Sequence, residues 1–242
     1  MPSFKKYQIQ DLLQKEMQCS CGRIHYVDIK DIIIRKGAIN IIPDMLVKYH
    51  CKKLFLVADE NTYEAAGKEV ERLLKKKSFD LTTHVFRRET ELVPDENAVG
   101  EFILHIPKDT DMILAVGSGT INDLSKFVSH QLSIPYMIVT TAPSMDEFSS
   151  VTTALIVDNL KTTYEVTPPK AIIADINILK RAPLNMISAG FGDIIGKYTS
   201  LCDWELSRTI NEEYYCNDVA DLVRNSIEKC TSHIKGIKIG KI

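Results

Sequence analysis

The segment Met112–Asp123 constrains the fold more than any other part of the chain, because it joins a buried strand to a helix through two glycines. Met112–Val116 is apolar throughout, which is typical of a strand covered on both faces. Gly117 and Gly119 follow, and apolar residues then recur at helical spacing. Backbone N–H groups at such a helix start attract phosphate or pyrophosphate. A tight turn without a ligand gives the same pattern, since Asn122 replaces the third glycine of the dinucleotide fingerprint.

Strand-like runs alternate with helical patterns over the first two thirds of the chain. The predicted strands are Ile32–Ile34, Leu54–Ala58, Thr82–Phe86, Met112–Val116 and Tyr136–Val139. The predicted helices are Ile39–Tyr49, Thr62–Lys76, Glu96–Ile106 and the helix after Gly119. This alternation predicts crossover connections and an α/β nucleotide-binding domain with a mostly parallel sheet. Ligands of such sheets bind at the carboxyl ends of the strands, where Asp59, Gly117 and Thr140 lie.

The pattern changes after Thr141. Val151–Val157 and Thr162–Val166 predict a hairpin, and Ala171–Ala174 predicts one more strand. From Leu184 onward the pattern is helical only, and a proline at 183 suits a helix start. We therefore predict a nucleotide-binding α/β domain over residues 1–182, followed over 183–242 by part of an all-helical domain.

Composition excludes several classes of function. The chain has 242 residues and a net charge of −2, which favours neither nucleic acid nor an anionic membrane. Residues 1–19 are polar and mixed in charge, so we expect no signal peptide, and no apolar run in the sequence approaches the length of a membrane span. Six scattered cysteines indicate reduced thiols in a cytoplasmic protein.

Two acidic residues near the strand ends each have two interpretations. Asp59 could accept hydrogen bonds from a ribose hydroxyl, or it could cap the helix that begins near Thr62. Asp123 could accept from a cofactor group, or it could be a carboxylate stabilised near a helix start. The residues leave both alternatives open.

Two later segments carry further polar groups. Thr140–Asp146 follows a buried strand and offers three hydroxyls and a carboxylate, which suits a cofactor on one side and a polyol on the other, or a hydrogen-bonded turn. Asp193 and Lys197 lie one helical turn apart, which predicts an ion pair. The glycines beside Asp193 weaken the helix and would let a segment or a ligand approach closely.

Cysteines and a histidine lie close together near the first residue. Cys19, Cys21 and His25 have spacings that a metal could accept. Only three candidate ligands are local, whereas a structural zinc site requires four. The sequence therefore gives little support to a metal site here.

In chain order, five stretches resemble the sn-glycerol-1-phosphate dehydrogenases, in the superfamily of glycerol dehydrogenases, iron-containing alcohol dehydrogenases and dehydroquinate synthases. The matching stretches are Cys19-x-Cys-Gly-x-x-His25, Val57-Ala-Asp-Glu-Asn-Thr62, Gly117-Ser-Gly-Thr-Ile-Asn-Asp123, Thr141-Ala-Pro-Ser-Met-Asp146 and Gly190-x-Gly-Asp-x-x-Gly-Lys197. The resemblance implies an α/β nucleotide-binding domain, an all-helical domain of the dehydroquinate synthase type and an active site in the cleft between them. It also implies hydride transfer between NAD or NADP and dihydroxyacetone phosphate or a related polyol, with a divalent metal (zinc, nickel or iron) polarising the carbonyl.

The resemblance also implies roles for individual residues. Asp146 and Asp193 would be catalytic, with Asp146 at the substrate and Asp193 also binding the metal. The implied cofactor-binding residues are Asp59, Gly117, Ser118, Gly119, Thr120, Ile121, Asn122, Asp123, Thr141, Ala142, Pro143, Ser144 and Ser150. The partner would be a small-molecule polyol phosphate, and the oligomeric state is left open, with a homo-oligomer as one alternative.

The family completes its metal site with two histidines well beyond the position of Asp193, and His233 does not fit that pattern. We therefore expect a truncated chain that binds zinc weakly or not at all and has no measurable dehydrogenase activity. Two alternatives remain: a dehydroquinate-synthase-like lyase, against which the Thr141–Asp146 loop argues, and an inactive nucleotide-binding fragment.

Overall fold

The computed structural model describes residues 7–233, which form two compact units. One unit comprises residues 31–143 and 147–182, and we call it the α/β unit. The other comprises residues 7–30, 144–146 and 183–233, and we call it the helical unit. The predicted boundary at 182/183 coincides with a change of unit, but residues 7–30 group with the helices. The reason is a small apolar cluster in which Cys19 packs with Cys216 and Trp204.

The strands are β1 (Met17–Gln18), β2 (Ile24–His25), β3 (Asp31–Arg35), β4 (Lys53–Asp59), β5 (Asp80–Phe86), β6 (Met112–Gly117), β7 (Tyr136–Thr140), β8 (Thr152–Val157), β9 (Leu160–Glu165) and β10 (Ala171–Asp175). The helices are α1 (Ile9–Leu12), α2 (Ile42–Lys48), α3 (Glu60–Thr62), α4 (Lys68–Lys76), α5 (Glu96–His105), α6 (Gly119–Leu132), α7 (Ile176–Leu179), α8 (Leu184–Asn211) and α9 (Asn217–Ser232). Short 3₁₀ segments cover Ala38–Ile41 and Glu147–Ser149, and a π-helical turn, Tyr63–Gly67, joins α3 to α4.

The α/β unit is built on a six-stranded sheet with the order β3-β10-β7-β6-β4-β5. Every pairing within it is parallel, as the sequence predicts. All residues of β6, β7 and β10 are buried, which explains their continuous apolar sequence. The parallel order brings the carboxyl ends of the strands to one edge of the sheet.

The core of the α/β unit lies on the sheet and is covered by helices. Alternate residues of the central strands, such as Leu56, Leu114 and Val139, pack in one cluster with Leu46 of α2 and Leu74 of α4. Helix α6 packs on β6. The predicted hairpin is present as β8 and β9, and Asp158 and Asn159 form its turn with positive φ values of 50° and 62°.

The helical unit contains α8, α9 and the β1–β2 hairpin. Leu201 of α8 packs with Ala220 and Ile227 of α9 in a separate buried cluster. Helices therefore dominate this unit, as predicted from Leu184 onward. Across residues 7–233, no helix has both the length and the apolar character that a bilayer crossing requires.

Candidate active site

The predicted cofactor edge is formed by the ends of β4, β6 and β7. Gly117 is the register partner of Thr140, and the N–H of Thr141 donates to the carbonyl oxygen of Gly117 at 3.0 Å. The loops after β6 and β7 therefore lie beside each other, and Thr141 and Ala142 are buried there. This is the edge at which parallel α/β sheets bind ligands.

The two glycines of the turn have different roles. A Cβ at Gly117 would lie within 2.9 Å of both Cγ atoms of Ile121, so this glycine allows α6 to pack against the end of β6. Gly119 is the first residue of α6 and is half-buried, as is Thr120. The side chain of the N-cap residue Ser118 makes no capping hydrogen bond to α6. Backbone N–H groups at the start of a helix favour an anion.

Asp123 points toward the β8–β9 hairpin. It lies just after the first turn of α6, and its carboxylate accepts a hydrogen bond from Thr153 Oγ1 at 3.1 Å. Burial raises the pKa of the Asp123 carboxyl to about 6, although Lys126 opposes the shift. Asp123 thus lies near the helix start, as the sequence predicts, but one residue past the first turn, and its contact with a cofactor stays a prediction.

Lys126 is a buried charge that sequence reasoning missed. Its ammonium group donates to the carbonyl oxygens of Glu147 and Thr152 and to Ser150 Oγ, at 3.0, 2.9 and 2.6 Å. Burial lowers the pKa of Lys126. The lysine therefore fixes residues 147–152 against α6. No sequence signal distinguishes it from an exposed helical lysine.

Two other predicted cofactor residues have protein partners. Asp59 caps α3, because Oδ1 accepts from the N–H of Thr62 at 2.9 Å while the Thr62 hydroxyl accepts from the N–H of Asp59 at 3.0 Å. The capping interpretation of Asp59 is thus confirmed, and its contact with ribose stays a prediction. Ser150 accepts from Lys126 and donates to the carbonyl oxygen of Thr152 at 2.7 Å, so its contact with NAD also stays a prediction.

Asp146 and Asp193 meet within the helical unit. The N–H of Asp146 donates to Asp193 Oδ2 at 3.0 Å, and Lys197 Nζ lies 3.1 Å from Asp146 Oδ1 and 3.7 Å from Asp193 Oδ1. The predicted pair of Asp193 and Lys197 is therefore present, but the closer contact of Lys197 is with Asp146. Burial raises the pKa of the Asp146 carboxyl, and Lys197 opposes that shift.

The glycines around Asp193 leave open space. A Cβ at Gly192 or Gly196 would meet no atom within 4 Å, so no part of the described chain packs closely against either. Gly190, by contrast, is buried, so close approach of another segment stays a prediction for that glycine. Close approach of a ligand stays a prediction.

Comparisons with known proteins agree with this fold. The model of the iron-containing alcohol dehydrogenase family matches residues 33–183. A glycerol-1-phosphate dehydrogenase [NAD(P)+] of Halalkalibacterium halodurans is 36% identical over 219 residues, which are 89% of this chain and 55% of that protein. The enzyme of that name from Geobacillus thermodenitrificans is 35% identical over 96% of this chain and 58% of its own length.

A solved structure shares the architecture. The glycerol dehydrogenase of Schizosaccharomyces pombe superposes with a TM-score of 0.72 at 19% sequence identity, covering 90% of this chain and 57% of that one. The chain spans somewhat more than half the length of the curated relatives it matches. From the family match and the all-parallel sheet with its glycine turn, the chain belongs to the iron-containing alcohol dehydrogenase family.

Proposed function

We propose that this chain supplies the cofactor-binding domain and substrate carboxylates of a dehydrogenase that interconverts dihydroxyacetone phosphate and sn-glycerol 1-phosphate or a related polyol. The observation that carries the proposal is the Gly-x-Gly turn that leads from β6 into the N-terminus of α6 at the carboxyl edge of a parallel sheet. The names of the relatives, glycerol-1-phosphate dehydrogenase [NAD(P)+], support the same reaction.

The residues at this edge fit a nicotinamide dinucleotide. Gly119 and Thr120 would bind the pyrophosphate through backbone N–H groups, and the loop Thr141–Ser144 would contact the rest of the cofactor. Asp59 keeps one carboxylate oxygen beyond its capping bond and would face the ribose, where its charge disfavours a 2′-phosphate. When bound, the nicotinamide supplies the hydride. We infer NADH in preference to NADPH.

Asp146, Asp193 and Lys197 form the proposed substrate group. Two carboxylates accept hydrogen bonds from substrate hydroxyls, while the shared ammonium group lowers the repulsion between them. Asp146 has a side chain that is 40% exposed and remains accessible to a small molecule. We assign Asp146 to substrate contact and Asp193 to the position of the family's metal carboxylate.

The described residues do not complete a catalytic metal site around Asp193. Among residues 7–233, Asp193 belongs to no group of three or more potential metal ligands, whereas a catalytic zinc site uses three. One carboxylate oxygen also selects weakly among zinc, nickel and iron. We therefore derive no catalytic step through a metal bound by these residues.

Calorimetry with NADH tests the cofactor site on the chain as it is. Gly119→Val puts a branched side chain where the phosphate must approach, so NADH should bind at least about tenfold more weakly. Gly100→Val is the matched control, because it places the same side chain on α5, where a Cβ meets no atom within 4 Å. Equal NADH affinity in the unchanged chain and Gly119→Val, or tighter binding of NADPH, would contradict the assignment.

Turnover is measured in a fusion of this chain to the part of the Halalkalibacterium relative that follows the matched residues. The fusion should oxidise NADH with dihydroxyacetone phosphate. Asp146→Ala in the fusion should lower kcat/KM by at least about tenfold while NADH affinity changes little. Loss of NADH binding in Asp146→Ala would move this residue to the cofactor site. Reaction with a heptulosonate phosphate instead would favour the lyase alternative.

A further inference from the structure

Four potential metal ligands from distant parts of the chain converge in the helical unit. Their donor atoms all lie within 4.8 Å of one another. We propose that the helical unit holds a structural zinc ion through three thiolates and one imidazole, those of Cys19, Cys21, His25 and Cys216. The proposal concerns a site apart from Asp193 and does not depend on the proposed dehydrogenase activity.

The first three donors are presented by the β1–β2 hairpin. Met17 is the register partner of His25, and the N–H of Cys19 donates to the carbonyl oxygen of Arg23 at 3.2 Å. Gly22 has a φ of +84°, a backbone conformation that favours glycine. Space is not the reason for glycine here, because a Cβ at this position would meet no atom within 4 Å. This tight turn directs both cysteines and the histidine of the hairpin to one point.

The fourth donor comes from the start of α9. Cys216 occupies the N-cap position and is fully buried, and its side chain makes no capping hydrogen bond. The positive end of a 16-residue helix stabilises a thiolate at this position. Only three donors are close together in the sequence, because the fourth lies 191 residues after His25.

Three of the six donor separations are close to those of tetrahedral zinc, and the other three are at most 4.8 Å. Zn–S bonds of about 2.3 Å and Zn–N bonds of about 2.0–2.1 Å require S···S separations of about 3.8 Å and S···N separations of about 3.6 Å. Cys19 Sγ lies 3.5 Å from Cys216 Sγ. His25 Nε2 lies 3.5 Å from Cys21 Sγ and 3.6 Å from Cys216 Sγ.

The surroundings of the cluster suit a closed metal site. The Tyr214 hydroxyl lies 3.1 Å from Cys21 Sγ and can donate to the thiolate, and Trp204 Nε1 donates to the carbonyl oxygen of Tyr214 at 2.7 Å. The Arg23 guanidinium lies 3.5 Å from the centre of the Tyr214 ring, which helps to hold this tyrosine in place. Such outer contacts orient metal ligands.

The donor set indicates both the metal and its role. Three soft thiolates with one imidazole are typical of zinc, and four protein donors leave no open position for catalysis. The Cys19 thiol donates to Asp218 Oδ2 at 3.4 Å, and zinc would displace that proton. Bound zinc would cross-link the β1–β2 hairpin to the start of α9.

Metal content of the purified chain tests this inference. After expression with added zinc and exhaustive dialysis, the unchanged chain should retain about one zinc ion per molecule. Cys216→Ser should reduce retained zinc to about a tenth or less. Two variants should keep it: Cys202→Ser, which alters an exposed cysteine of α8, and Asp193→Asn, which removes the family's metal carboxylate.

Binding of cobalt(II) tests the same metal site in the unchanged chain, without any substitution. Cobalt(II) bound to the unchanged chain should show thiolate charge-transfer absorption and the intense visible bands of tetrahedral coordination. Alkylation is a second measurement: half-exposed Cys21 should react only after chelation, while Cys202 reacts throughout.

Three results would overturn the inference. The first is a dialysed chain without zinc and without a tetrahedral cobalt spectrum. The second is zinc that stays in Cys216→Ser but leaves with Asp193→Asn. The third is a Cys19–Cys216 disulfide in the freshly purified, folded chain, detected by mass spectrometry without reduction.

Discussion

At the level of single residues, two opposite charges of α6 lie against residues 147–153: Asp123 is half-buried and Lys126 is buried. Asp123 accepts from Thr153, and Lys126 donates to three acceptors in residues 147–152. Burial shifts both pKa values in opposite directions, since it raises the pKa of Asp123 and lowers the pKa of Lys126. Both groups therefore make the stability of the α/β unit depend on pH.

Asp123→Asn tests the pH dependence at this residue. The pKa of Asp123 is about 6 in the folded state and about 3.9 when unfolded, so its favourable contribution is complete below about pH 4 and is lost as pH rises through about 6. When the pH is lowered from 7 to 4, the free energy of unfolding of the unchanged chain should therefore rise by about 2 kcal/mol relative to that of Asp123→Asn, allowing for partial screening. Urea unfolding of both proteins at each pH measures the difference.

Asp80→Asn is the control for that comparison, because Asp80 is exposed on β5. The difference in the free energy of unfolding between Asp80→Asn and the unchanged chain should vary little between pH 4 and pH 7. A constant difference between the unchanged chain and Asp123→Asn would show that burial does not perturb this carboxyl.

The sequence could predict some residue roles and not others. Asp59 precedes Thr62 by three residues, so the capping bond is local and readable from spacing. The hydrogen-bond acceptors of Lys126 are 21 or more residues away in the sequence. The other three donors of the zinc cluster are 191 or more residues away from Cys216, so in both cases only the tertiary fold brings the groups together. Local patterns therefore identified the turn of α6 but missed its buried lysine and the complete thiolate cluster.

At the scale of elements, the sequence predicted the strands and helices of the α/β unit closely. The reason is that β6, β7 and β10 are buried on both faces, which leaves uninterrupted apolar runs. The two-residue strands β1 and β2 were missed, because they are too short to show a period.

Gly117→Ala tests how β6 meets α6. An added Cβ would collide with Ile121, so α6 must shift, and the free energy of unfolding should fall by about 1–3 kcal/mol. Gly100→Ala is the matched control on α5: a Cβ there meets no atom within 4 Å, and alanine favours a helix by up to about 1 kcal/mol. Urea unfolding should therefore separate the two variants. Equal stability of both would mean that the strand–helix contact is loose.

At the scale of the whole molecule, each unit has a buried cluster of its own. Leu56, Leu114 and Val139 belong to the cluster of the α/β unit, while Leu201 and Ile227 belong to that of the helical unit. Because each cluster can unfold as a cooperative unit, calorimetry should resolve two thermal transitions.

Ile227→Ala and Gly117→Ala assign those transitions. Ile227 is fully buried, and its truncation should cost the helical unit about 2–5 kcal/mol and lower one transition alone. Gly117→Ala should lower only the midpoint temperature of the other transition, that of the α/β unit. A single transition that both variants shift would show that the two units unfold together.

The edge position of β3 has a consequence for synthesis. Within the sheet, β3 pairs with β10, whose first residue is Ala171, so the strand Asp31–Arg35 emerges from the ribosome long before its partner. At about 5–20 residues per second, the interval is about 7–27 s. During that time the apolar segment Ile32–Ile34 has no partner strand. Such a segment is prone to aggregation until its partner is made, and chaperones bind segments of this kind. The last strand of the sheet to be translated thus determines how long the first one needs protection.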